Sequence, residues 1–156
     1  MNYVIRKGKK EDLPQVLELI KELAHYEKAP QEVTVKLQEL ERDSFGAHPV
    51  FYFYVAEAES KIVGTSIYYI KYSTWKGKCV FLEDIIVNES HRGKQIGKKL
   101  FEEVIKASKE MNAKRMEWQV LDWNEPAINF YKKFDVHFDA SWVNCKLTES
   151  QIQDYK

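Results

Sequence analysis

Three runs rich in aromatic and β-branched residues lie close together between positions 50 and 87: "VFYFYVAEA", "KIVGTSIYYIKY" and "CVFLEDIIV". Nothing else in the chain narrows its fold as much. An extended backbone satisfies its N–H and C=O groups only across a ladder, so such runs need one another. The first two flank the polar turn "ESK", which reads as an antiparallel hairpin. The third adds a strand, and a sheet is expected at the centre with the remaining chain covering it.

The covering elements are legible from spacing. Leu13, Val16, Leu17, Ile20, Leu23 and Ala24 share one helix face, with Asp12 placed to cap the start and Pro14 in the first turn. A shorter helix over about 34–43 is ended by Gly46 and Pro49. Leu100, Val104, Ala107 and Met111 mark a helix from about 97 to 111, "AKRMEWQVL" reads as a strand, and "EPAINFYKKF" as another helix. The tail adds a strand around 142–147 and a short terminal helix. Strands grouped early and alternating with helices later predict an α/β (α+β) chain, a mixed, mostly antiparallel sheet flanked by helices. At 156 residues this is expected to be a single domain over 1–156.

Lys plus Arg equal Asp plus Glu, 24 each, so no global field invites nucleic acid. No apolar run approaches the roughly 18 residues of a membrane span, and the first residues carry no secretory pattern, which makes the cytoplasm the expected location. Cys79 and Cys145 are too isolated for a disulfide framework, and His25, His48, His91 and His137 lack ligand spacing, so no metal is expected.

The chemistry-bearing residues stand in three places. Glu83 and Asp84 interrupt the apolar run "CVFLEDIIV", where an unpaired carboxylate costs several kcal/mol, roughly. In a regular strand they point to opposite faces, so at most one is expected toward the core. They meet Lys or Arg, or backbone donors at a sheet irregularity, or else a cationic ligand. Next, in "NESHRGKQIGKKL" the strand ends, a loop with Gly93 and Gly97 carries Arg92, Lys94, Lys98 and Lys99, and a helix begins. Helix-start amides with nearby glycines suit phosphate oxygens. The same loop echoes G-x-x-x-x-G-K-[ST], but its spacing is one short and Lys99 replaces the hydroxyl residue. Third, "LDWNEPAINFYKKF" has Asn124 as a helix cap with Pro126 just inside, and Tyr131 on the apolar face.

This order of motifs resembles the GCN5-related N-acetyltransferase (GNAT) superfamily over essentially the whole chain. More narrowly, "IKELAHYE", "YSTWKGK", "FLEDIIV" and "LDWNEPAINFYKK" resemble the spermidine/spermine (diamine) and thialysine N-acetyltransferase group. The resemblance implies the GNAT fold and acetyl-CoA as cosubstrate. It implies that Ile85, Ile86 and Val87 pair with the pantetheine arm, that Arg92, Gly93, Lys94, Gln95, Ile96, Gly97 and Lys98 bind the pyrophosphate, and that Asn124, Glu125, Pro126, Ala127 and Asn129 lie along the same cofactor. An amine pocket of Tyr26, Glu27, Trp75, Glu83, Asp84 and Trp142 is implied too, as is a homodimer with the pocket near the subunit interface. Three positions depart from the pattern. Gln95 and Asp135 stand where relatives carry glycine, and Ser73 replaces an acidic residue of the polyamine type. At Gln95 the backbone either keeps a negative φ or bears a left-handed penalty.

Aminolysis of a thioester requires a neutral amine, and a primary amine with a pKa of roughly 10.4 arrives protonated. Glu83 is expected to be the base, through a water. Asp84 and Glu27 would orient the ammonium, Tyr26, Trp75 and Trp142 would offer aromatic faces, and Tyr131 would act as general acid. The acceptor is a diamine or polyamine, or a thialysine- or lysine-like amine. The alternatives are acetylation of a protein lysine or N-terminus, and a catalytically weak CoA-binding sensor.

Overall fold

The computed structural model describes residues 2–156, in two compact units, the first ending at Gln119 and the second covering Val120–Lys156.

The first unit is built on a five-stranded sheet in the order β1-β2-β3-β4-β5: β1 Val4–Lys7, β2 Tyr52–Ala58, β3 Lys61–Ser73, β4 Gly77–Val87 and β5 Met116–Glu117. All pairs are antiparallel except β4 with β5, so the sheet is mixed and mostly antiparallel as expected. The β2–β3 turn is two residues, Glu59 and Ser60, both at positive φ (50° and 62°). That is the backbone a tight hairpin wants, here made without glycine.

Helix α1 (Leu13–Tyr26) buries Leu13, Val16 and Leu19, and with Leu40 of α2 (Leu37–Phe45) it packs on Phe53, Val55, Ile62, Ile67 and Ile86. Helix α3 (Ile96–Glu110) buries Ile96, Leu100, Phe101, Val104 and Ala107. Its approach to the sheet needs Gly64, where a Cβ would stand 3.0 Å from the Ile86 carbonyl oxygen and 3.1 Å from Leu100. Ser66 Oγ donates to the Leu100 carbonyl at 3.3 Å.

Several expectations need correction. Strand β1 has no strong local signal and is fixed by its ladder to β2, where Arg6 binds Asp12 (2.7 and 2.9 Å) and Glu57 (2.8 Å). Asp12 makes no cap bond to α1. It holds Arg6 and accepts the Lys9 N–H at 2.7 Å. The second helix begins and ends later than the expected 34–43. The strand expected over "AKRMEWQVL" contracts to Met116–Glu117, because only Val80 and Phe81 of β4 face it.

The second unit contains α4 (Glu125–Lys132) and α5 (Glu149–Gln153). Asn124 Oδ1 accepts the Ala127 N–H at 3.4 Å, the cap read from sequence, and Thr148 caps α5. The strand expected around 142–147 does not form. Trp142, Val143 and Leu147 are exposed, and strand propensity without an edge to pair on does not make a strand.

Candidate functional site

The site starts from a register fault in β4. Ile67 of β3 faces Asp84, but the next residue, Tyr68, faces Leu82, which leaves Glu83 as an extra residue in the ladder. This is a β-bulge, and it flips the parity of everything after it. Leu82 lies opposite Tyr68 and Ile85 opposite Ser66, on the α3 side. Asp84 and Ile86 lie opposite Ile67 and Thr65, on the side packed by α1. Strict alternation would have put Asp84 with Leu82.

Alternation thus fails at the bulge, but the expectation that at most one of the two acids turns toward the core holds: Glu83 is exposed and Asp84 half-buried. Asp84 is half-buried, and burial, then Glu83, then Glu27 push its carboxyl up to about 7. Burial also raises Glu27, the residue that closes α1. Tyr69, one step along the same face of β3, is raised by burial and then by Glu83 and Glu117. Three carboxylates, Glu27, Glu83 and Asp84, thus share one field, and among the described residues none of them is in an ion pair. No set of three or more His, Cys, Asp or Glu side chains among those residues is grouped to hold a metal ion.

Beside the acids, β4 runs on to Val87 while its parallel ladder with β5 stops at Phe81–Glu117. The edge carrying Ile85, Ile86 and Val87 passes beyond β5. At its end Asn88 starts the loop, capping it with Oδ1 to Ser90 N–H (3.2 Å) and Ser90 Oγ (2.6 Å). Gly93 is at φ +75° with nothing within 4 Å of the position a Cβ would take, and Gln95 is at φ +65°. Gln95 thus takes the left-handed conformation that the family glycine supplies, as Asp135 does at φ +54°. The Gln95 side chain makes no cap bond and the first turn of α3 holds no acidic residue, so the first amides of α3 remain available beside Lys94, Lys98 and Lys99. An anionic diphosphate fits that combination of left-handed loop, uncapped helix start and basic side chains.

The remaining sequence-derived residues fall in different places. Tyr26 stands at the end of α1, with the Arg92 guanidinium 5.5 Å from its ring centroid. Trp75 is exposed in the turn between Ser73 and Gly77. The register puts that tip roughly 20 Å along the strand from Asp84, at about 3.3 Å per residue. Asn124, Glu125, Pro126, Ala127, Asn129, Tyr131 and Trp142 belong to the second unit. There Tyr131 is buried, its ring 5.3 Å from Phe130, and Trp142 is exposed. Sequence reading overlooked Glu22 of α1, whose carboxylate reaches the loop. It lies inside the run "IKELAHYE", four residues before Tyr26 on the same helix face, but was given no role there.

Residues 13–135 match the family model described as "Acetyltransferase (GNAT) family". Thialysine N-epsilon-acetyltransferase of Bos taurus is 38% identical over 137 residues, covering 83% of this chain and 81% of the relative. The human spermidine/spermine N(1)-acetyltransferase-like protein 1 is 29% identical, covering 97% of this chain and 23% of that much longer protein. Among solved structures, an integron cassette protein from the mobile metagenome of V. cholerae superposes with a TM-score of 0.78 at 21% identity, over 98% of this chain and 96% of that one.

Proposed function

The chain belongs to the acetyltransferase (GNAT) family, and on that premise we propose that it moves an acetyl group from acetyl-CoA to a primary amine of a small cationic substrate. The observation that carries this reading is the convergence of Glu27, Glu83 and Asp84, with no ion pair among the described residues, beside a loop suited to a diphosphate. Carboxylates gathered in this way repel one another, and a cationic ligand relieves that repulsion.

Acetyl-CoA supplies an acetyl group activated as a thioester. Residues 92–98 hold its diphosphate through backbone amides and basic side chains, and the Ile85–Val87 edge offers backbone groups for the pantetheine arm. Asp84 and Glu27 draw in and orient the ammonium, Tyr26 lends an aromatic face, and Glu83 takes the proton through a water so that the nitrogen lone pair is exposed. The family resemblance assigns to Tyr131 the proton that the departing sulfur receives. A backbone N–H of Ile85–Val87 would stabilise the oxygen on which negative charge develops.

The acceptor is a lysine-like amine in preference to a polyamine. Ser73 stands where the polyamine pattern has an acidic residue, and identity is higher to the bovine thialysine enzyme than to the human spermidine/spermine-type relative. A homodimer is part of the reading, carried over from the family resemblance, and Trp75 stands on an exposed hairpin tip. The test is thiol release from acetyl-CoA with thialysine, lysine, ornithine, putrescine, spermidine, spermine and lysine-containing peptides. Fastest turnover on thialysine or lysine is expected. Faster turnover on peptides would point to protein acetylation, and CoA binding without turnover on any amine would mark a sensor.

A further inference from the structure

We infer that Glu22, a residue of the run "IKELAHYE" to which no role was assigned above, is a positioning residue that locks the diphosphate loop and ties it to the amine site. The inference rests on the acetyl-CoA reading of that loop.

Helix α1 carries a stripe of side chains that reach over the sheet ends, spaced seven and then four residues apart. Gln15 Oε1 accepts the Ile62 N–H at 2.9 Å. Glu22 accepts the Asn88 side-chain amide at 3.0 Å with one oxygen and the Glu89 N–H at 3.0 Å with the other. Tyr26 lies under the Arg92 guanidinium. Glu22 is half-buried, and both its bonds go to the first two loop residues, 66 and 67 positions away in sequence.

These contacts fix the loop at its entrance. Asn88 N–H donates to the Val63 carbonyl at 2.8 Å, its Oδ1 caps the turn at Ser90, and its side-chain amide donates one hydrogen bond to Glu22. Arg92 donates through Nε to the Val87 carbonyl at 3.1 Å while its guanidinium covers Tyr26. The five loop residues from Asn88 to Arg92 are thus held at two points on α1, Glu22 and Tyr26, one helical turn apart. The same last turn leads directly into Glu27, whose charge acts on Asp84. Ordering the loop around an anion therefore also orders the turn that presents Tyr26 and Glu27, and the coupling is reciprocal.

A carboxylate satisfying two donors at once is suited to this work, since charge-assisted bonds are the stronger kind and fix direction at both oxygens. An amide at position 22 keeps one acceptor and turns donors toward Asn88 and Glu89. The experiment is calorimetric titration of CoA into the full chain, with Glu22→Gln compared to Glu18→Gln. Glu18 is exposed on the same helix and pairs only with Lys21 among its charged partners here, so it controls for loss of a helix charge. Glu22→Gln is expected to weaken CoA binding about tenfold, to raise the KM for acetyl-CoA in step, and to leave kcat at saturation within about threefold. Glu18→Gln should bind CoA as the parent does. Hydrogen exchange of the Glu89 amide should quicken in Glu22→Gln without any ligand. Should that variant fold poorly, Asn88→Asp, which keeps the Ser90 cap and opposes Glu22 with like charge, is expected to give the same loss. Unchanged CoA affinity in Glu22→Gln, or equal weakening in Glu18→Gln, overturns the inference. Failure of the parent protein itself to bind CoA would instead overturn the functional reading.

Discussion

At the scale of single residues, the decisive one is Asp84. The folded chain holds its proton up to about pH 7, whereas the ordinary aspartate value is 3.8. Between those values the native state binds more protons than the unfolded state, so this residue lowers stability as pH rises. Asp84→Asn removes the conflict. It is expected to raise Tm at pH 8, by about 2–4 °C for each kcal/mol relieved, and to leave Tm unchanged near pH 4. Differential scanning calorimetry at the two pH values checks this, and a gain at pH 4 equal to that at pH 8 would contradict it. Activity should fall in the same variant, because the carboxylate that strains the free protein is the one that receives the ammonium. Glu83→Gln should lose turnover near neutral pH and recover part of it at high pH, where free amine becomes abundant. If a pH–rate profile shows that recovery in Asp84→Asn instead, proton removal belongs to Asp84.

At the scale of elements, the bulge at Glu83 and the turn at Gln95 show two ways in which local structure departs from its regular form. One added residue in β4 carries Asp84 from the α3 side to the α1 side, and no substitution could do that within a regular ladder. Past the end of that strand, at the start of α3, Gln95 holds a backbone that glycine adopts more easily. A non-glycine residue there costs roughly 1–2 kcal/mol, and glycine gives back part of the gain through a freer unfolded chain. Gln95→Gly is therefore expected to stabilise the protein by about 0.5–1 kcal/mol, read as a higher denaturation midpoint in urea at unchanged m. Destabilisation would mean that the Gln95 side chain makes contacts worth more than its backbone strain. The sequence exposed the substitution, but the sign of φ came only with the coordinates.

At the scale of the whole molecule, charge is balanced at 24 against 24, so selection of a cation depends on the local acid cluster. Exposed Tyr72 and Trp75 on the β3–β4 hairpin accord with the proposed homodimer. Light scattering should return twice the 18.5 kDa chain mass; a monomer that is fully active would remove Trp75 from the amine site. What the sequence determined by itself was whatever depends on spacing along the chain: the β2–β3 hairpin, the apolar faces of α1 and α3, the Asn124 cap, and the motif order that places the chain in its family. These follow from repeat periods and from side chains acting on their own backbone. Only the tertiary structure decided the extent of β5, the absence of a strand around 142–147, the side of the sheet on which Asp84 lies, and the reach of Glu22 to Asn88 and Glu89. Each of these depends on which distant backbone stands opposite, and neither a ladder's register nor a helix's placement over it is encoded by neighbours in sequence.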